Sequence, residues 1–209
     1  MSGGTFSCGI FSLGIFSFLR PFFACFFTGI AIKIMDDFLD ASIDSMIGKR
    51  TWAASLDEAA LPYALVALSL AAVAEPVWSI TFFWASYAVG MRGDLTRPLP
   101  LGLTGWQEAS LLGMIAILAF GWRTVFTSWA AIFSVQAIDD LLDRKQDKMS
   151  GAANWAIQWG VVETSLTASI VIIVLGYLDI AKLVFVFATG PLVVKIQELS
   201  TRKEEKPCD

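Results

Sequence analysis

The chain runs apolar, again and again, over stretches close to the length a helix needs to cross a hydrocarbon layer. A bilayer core takes about 20 residues of helix. Inside it every backbone N–H and C=O must be paired within the protein, which leaves helices or closed barrels. Seven stretches are candidate spans: roughly 10–35, 61–74, 77–90, 106–122, 124–138, 153–176 and 179–198. With 56% apolar residues, 16% charged residues and a mean hydropathy of +0.65, the chain groups with membrane proteins. The expected fold is all-α: a polytopic transmembrane helical bundle of about seven spans, seven to nine helices in all. Residues 1–200 form one domain, and 201–209 a polar cytoplasmic tail.

Several residues punctuate these stretches. Arg20-Pro21 interrupts the first, so "IFSLGIFSFL" is either part of the span or a short interfacial helix before a span that starts at Pro21. Glu75-Pro76 reads as a tight turn, because the 30 or so residues around it are too many for one span. Gly121 and Gly176 fall near further turns. Seven passes place 36–58, 91–105, 139–152 and the C-terminus on one side. That side collects most of the lysine and arginine, from Lys33 and Lys49 through Arg144 to Lys206. The other side keeps Arg123 and Lys182, with Arg20 on neither. The bias makes the basic side cytoplasmic.

Composition excludes several chemistries. There is no histidine, so histidine-ligated metals and histidine bases are ruled out. Cys8, Cys25 and Cys208 have neither zinc nor disulfide spacing, and Cys208 does not fit a prenylation signal. No basic stripe suggests nucleic acid. The N-terminus lacks the basic region of a secretory signal and is read as part of the mature protein.

Against this apolar background stand two acidic clusters, "DDFLDASID" at 36–44 and "DDLLDRKQD" at 139–147. Both read D-D-x-x-D-x-x-x-D. On a helix, residues four apart share a face, so Asp36, Asp40 and Asp44 form one row and Asp139, Asp143 and Asp147 another. Asp37 and Asp140 flank them. Like charges at this spacing repel, and stranded charge near a bilayer costs more, so a cation should offset them. One such cluster reads as a solvated helix end. Two copies on one face read as a receptacle for Mg²⁺, which takes one or two protein carboxylates and completes its shell with water and phosphate oxygens. An apolar cavity between the helices would hold the rest of the substrate. A diphosphate on a hydrocarbon tail is an isoprenyl diphosphate.

At these residues the chain resembles the UbiA superfamily of intramembrane prenyltransferases. "DDFLDASID" is similar to the family's first motif, with Asp36 where the family usually has Asn, and "DDLLDRKQD" to its second. The resemblance implies that Asp36, Asp40, Asp139 and Asp143 bind Mg²⁺, with Asp44 and Asp147 completing the motif faces. It also implies basic residues that hold the diphosphate: Arg97 in "TRPLPLG", Arg144 and Lys148, then Arg50 and Lys33. "RPLP" lies one hairpin later than in the family, and the bundle is about two helices shorter.

Other residues are candidates for the cavity. Trp84, Trp129 and Phe133 lie deep in spans and could stabilise a carbocation, although helix packing explains each one as well. Gln136 precedes the second cluster by one turn, along the Asp140 stripe, and Asn154 follows it. Glu108 and Glu163 read as first-turn acids at helix N-termini.

The expected activity is Mg²⁺-dependent transfer of an isoprenyl group from its diphosphate to a lipophilic, possibly aromatic, acceptor. No general base stands out. One alternative is a terpene cyclase, in which the cation closes on its own double bonds. Another is a non-catalytic lipid- or pigment-binding subunit. Soluble isoprenyl diphosphate synthases carry similar acidic motifs, but the hydropathy argues against their fold.

Overall fold

The computed structural model describes residues 5–48, 51–89, 102–151 and 153–203. These residues are helical apart from short joints, and no strand occurs among them. The chain begins with α1 (Thr5–Leu39), α2 (Ala41–Ile47) and α3 (Trp52–Leu56), and a 3-10 turn at Asp57–Ala59 leads on. Next come α4 (Ala60–Ala74), α5 (Pro76–Val89) and α6 (Gly105–Phe120). The remainder is α7 (Trp122–Ser150), α8 (Trp155–Gln158), α9 (Val161–Leu178) and α10 (Ile180–Lys203).

Five segments are long and apolar enough to cross a membrane: Phe18–Leu39, Trp52–Ala74, Trp122–Lys145, Val161–Leu178 and Ile180–Thr201. α6 is apolar but shorter, and α5 has 14 described residues. Burial is inverted relative to a soluble bundle. α4 buries Ala60, Ala64, Ala67 and Ala71 and exposes Leu61, Tyr63, Leu65, Val66, Leu70 and Val73. Small residues on the inner stripe let backbones approach closely, and large apolar ones face outward. α4 packs along α1 in this way.

The punctuation mostly behaves as expected. Pro76 opens α5, where the missing N–H costs nothing, after an extended Glu75 (φ −152°, ψ 95°). Gly121, at φ 83°, separates α6 from α7. Two joints differ. Helix α1 runs through Arg20-Pro21 without a break, as membrane helices allow. The α9–α10 turn falls at Asp179 (φ −153°, ψ 80°), not at Gly176, which lies inside α9.

α1, α5, α7 and α10 form an inner ring, each packing on the next, with α4, α6 and α9 outside it. Two contacts fix direction. At the start of α10, Lys182 Nζ donates to Thr124 O at the start of α7, 2.9 Å. At the end of α10, Gln197 Nε2 donates to Asp37 Oδ2 near the end of α1, 2.5 Å. The acidic ends of α1 and α7 therefore lie at the same end of the bundle, and neither helix is the other's neighbour in the ring.

The ring contains an internal repeat. The unit α1 to α5 recurs as α7–α8–α9–α10, with the end of α7 matching α2, leaving α6 unmatched. Arg20 Nε donates to Ala74 O at the end of α4, 2.9 Å. Arg123 Nη2 donates to Leu178 O at the end of α9, 2.8 Å. The acidic caps Glu75 and Asp179 share nearly the same extended backbone. Arg20, which the charge count left on neither side, thus belongs with Arg123 at the end remote from the aspartates.

Lys182 is corrected in kind. The sequence assigned it to the far-side loops, but it is 1% exposed. Its ammonium donates to Thr124 O, Thr127 Oγ1 and Ser128 Oγ, all at 2.9 Å. Asp179 lies 3.9 Å away, and the Trp78 and Phe82 rings flank it. Ser128 in turn shares a 2.8 Å hydrogen bond with Thr81, which ties α5 into the node. Lys182→Ala removes three hydrogen bonds from a buried node and opens a cavity, so it should cost about 2–4 kcal/mol. A thermal-unfolding series in detergent should show a clear loss for Lys182→Ala and a smaller one for Lys182→Arg.

Candidate functional site

The acidic segments are built alike. α7 carries Asp139, Asp143 and Asp147 on one unbroken helix. The first segment bends at Asp40 (φ −92°, ψ 3°), between α1 and α2. Helical bonds persist across the bend, from Asp40 N–H to Asp36 O at 3.0 Å and from Asp44 N–H to Asp40 O at 2.9 Å. Both segments end on a left-handed glycine, Gly48 at φ 69° and Gly151 at φ 75°, a conformation that Cβ-bearing residues rarely adopt. An extended N-cap then starts a short helix in each half. Thr51 Oγ1 accepts from Ala54 N–H, 3.3 Å, and Asn154 Oδ1 from Ile157 N–H, 3.1 Å.

What holds each turn is the second aspartate of the motif. Asp37 is 2% exposed and Asp140 5%. Asp37 Oδ2 accepts from the Trp52 N–H, 3.2 Å, and Asp140 Oδ2 from the Trp155 N–H, 2.7 Å. The other oxygens take donors one turn back, Lys33 Nζ at 2.9 Å and Gln136 Nε2 at 3.0 Å. A buried carboxylate is tolerable only when it is paired and hydrogen-bonded in this way. All of these residues repeat at one shift of 103 positions, the interval from Asp36 to Asp139. Sequence reasoning treated Asp37 and Asp140 as flanking and missed Trp52 and Trp155 as their partners. The constant shift, which also relates Arg20 to Arg123 and Gly48 to Gly151, was the available signal.

The second aspartates turn inward, and the remaining ones differ in exposure. Asp36 is half-buried and Asp40 exposed; Asp44 is buried in α2; Asp139 and Asp143 are exposed, and Asp147 is half-buried. The charges of Asp36, Asp139 and Lys33 act on one another across the ring, between the end of α1 and the end of α7. Asp143 adds its charge beside Asp139. Arg144 and Lys148 are exposed on α7. Arg50 and Arg97 lie outside the described residues.

The other expected site residues have specific places. Gln136 and Asn154 brace the second segment: besides capping α8, Asn154 Nδ2 donates to Asp140 O at 2.7 Å and to Asp147 Oδ2 at 2.8 Å. Trp84 faces α6, donating to Ala109 O at 3.1 Å, where a Cβ on Gly113 would come within 2.5 Å of its ring. Trp129 and Phe133 belong to an aromatic ladder that continues through Trp155 to Trp159, with centroid steps of 5.2, 5.0 and 5.4 Å. Glu108 and Glu163 sit in the first turns of α6 and α9, as expected, and Glu108 accepts from the Tyr87 hydroxyl.

An apolar groove of about 280 Å³ opens between α1, α3, α4 and α10, lined by Phe27, Ile30, Ile34, Trp52 and Leu70 among others. Trp52 joins it to the Asp37 turn. On α1 the groove lies on a different flank from the mouth, since Ile34 and Asp36 are about 200° apart on the helix.

Among the described residues no three acidic side chains converge tightly enough to ligate one ion alone. The donors at the mouth are all carboxylate oxygens, the type that hard divalent cations take. Mg²⁺ needs only one or two of them once phosphate oxygens and water complete its shell. No family model, curated protein or solved structure matches the chain.

The two kinds of aspartate should separate by mutation. Asp140→Ala strands the Trp155 N–H and Gln136, and should cost roughly 1–3 kcal/mol in unfolding free energy. Asp143→Ala, at an exposed position, should stay within about 0.5 kcal/mol of the parent. Thermal midpoints of the two variants in one detergent make the comparison.

Proposed function

We propose that the chain is an intramembrane Mg²⁺-dependent prenyltransferase of UbiA type, which takes an isoprenyl diphosphate donor and a lipophilic acceptor. One observation carries the reading: two D-D-x-x-D-x-x-x-D segments lie at the same end of a helical ring, where the charge of Lys33 acts on Asp36 and on Asp139. On this reading seven helices cross the bilayer, and the mouth faces the cytoplasm, where most basic residues gather.

Asp36 and Asp40 from one side, with Asp139 and Asp143 from the other, would hold Mg²⁺. The ion would neutralise charge on the diphosphate as it leaves. Arg144 and Lys148, exposed beside the second row, and Lys33 between the rows bring positive charge to the diphosphate oxygens. Asp37 and Asp140 position the rows. On this reading the helices beneath the rows would keep water from the allylic cation, so that the acceptor consumes it instead of hydrolysis.

The aromatic ladder from Trp129 to Trp159 favours a second reading, a terpene cyclase, because ring faces beside the second row can stabilise a travelling cation. The same experiment tests both. Purified protein in detergent is given prenyl diphosphates of several lengths, with and without Mg²⁺ and acceptor, and diphosphate release and organic products are measured together. A transferase gives a prenylated acceptor; a cyclase gives cyclic hydrocarbon or alcohol without one. For either, Asp40→Ala combined with Asp143→Ala should lower Mg²⁺-dependent diphosphate release at least about 100-fold. Unchanged release in the double variant would defeat both, and a protein with no such activity would stand as a lipid- or pigment-binding subunit.

A further inference from the structure

The two halves of the repeat differ in charge at the residue that braces the buried aspartate. In the first half Lys33 Nζ meets Asp37 Oδ1 at 2.9 Å. In the second, Gln136 Nε2 meets Asp140 Oδ1 at 3.0 Å. Both bonds run one helical turn forward, and both carboxylates also accept the N–H of a tryptophan 15 residues on. The hydrogen-bonding job is the same, and an uncharged amide does it in the second half. Asp37 has a further donor in Gln197, so it needs the ammonium less than Asp140 would.

The charge of Lys33 therefore has another use, and its surroundings indicate what that is. Its side chain remains about a quarter exposed (26%), while that of Asp37 is 1% exposed. Beyond Asp37 it acts on Asp36 of its own helix and on Asp139 across the ring. It is a positive charge at the acidic end, anchored on Asp37 and acting on an aspartate of each row.

Resting on the reading above, we propose that Lys33 is a built-in counter-cation that couples metal binding to diphosphate binding. Without ligand it offsets the rows and weakens their hold on a divalent cation alone. With a diphosphate present it faces phosphate oxygens as well as carboxylates, and its charge then favours the complex. One like charge at this range changes a cation's affinity by about tenfold after screening. Cation and diphosphate thus enter as a pair, which keeps the mouth from filling with metal between turnovers.

The repeat supplies its own test. Lys33→Gln writes the second half's residue into the first and keeps the bond to Asp37, while Gln136→Lys adds the charge where it is absent. Mn²⁺ binding to purified protein is followed by the loss of its free electron paramagnetic resonance signal, with and without inorganic pyrophosphate. In Lys33→Gln, Mn²⁺ alone should bind at least about fivefold tighter, and pyrophosphate in the presence of Mn²⁺ at least about fivefold weaker. In Gln136→Lys, Mn²⁺ alone should bind more weakly. If Lys33→Gln binds both as the parent does, or binds Mn²⁺ alone more weakly, the role of Lys33 is wrong while the site stands. If Lys33→Gln does not fold, Gln136→Lys decides by the same measure, and unchanged Mn²⁺ affinity there overturns the role. A parent protein that takes up no Mn²⁺ even with pyrophosphate overturns the site, and the role with it.

Discussion

The structure at the acidic end depends on one contact made twice: a buried carboxylate that captures the backbone N–H of a tryptophan 15 residues further on. Asp37 does this with Trp52 and Asp140 with Trp155. Each bond closes a turn in which a helix stops at a left-handed glycine, the chain reverses, and the next helix begins under a Thr or Asn cap. A buried ion that lost its partner here would be costly, so the contact fixes the rotation of its helix. That rotation puts Asp40, Asp139 and Asp143 toward the surface, while Asp44 is buried in α2 and Asp147 is held by Asn154.

At the opposite end the same repeat uses cations. Arg20 and Arg123 each close the carbonyl end of the returning helix, and Lys182 joins α7 to α10 beneath the ring. A buried lysine in an apolar bundle is tolerated only because three acceptors meet its three protons. The chain is thus pinned by carboxylates at one end and by basic side chains at the other. Between them lie small-residue contacts such as the alanine stripe of α4, which give close packing without polar groups.

Much of this was legible in the sequence, and the gaps have physical causes. Apolar length announced the helices, and Pro76 and Gly121 fell at joints because their backbones suit them. Pro21 misled, because a proline that would end a soluble helix is carried within an apolar one. Gly176 fell near its joint but not at it, because an extended Asp179 closes the turn and no glycine is needed. The aspartate rows were legible by period, but the division of labour within them was not. Periodicity gives a stripe, and only tertiary contacts show which member of D-D turns inward to a backbone amide. Lys182 looked like a loop residue because three residues past a turn is an ordinary place for a solvated lysine. Its carbonyl and hydroxyl partners lie 54 to 58 positions away. Trp129 and Phe133 were recognised as deep, but their stacking onto Trp155 depends on how α8 folds back, which periodicity does not contain.

The central claim is that the rows on α1 and α7 act as one cation site with a diphosphate. The most direct measurement is a crystal structure with Mn²⁺ and a non-ionisable prenyl thiodiphosphate, with the metal located by its anomalous scattering. The account predicts manganese between Asp36 or Asp40 and Asp139 or Asp143, bridged to phosphate oxygens, with Asp37 and Asp140 still holding their tryptophan amides. Manganese bound to one row alone, or a diphosphate lodged away from both helix ends, would contradict it.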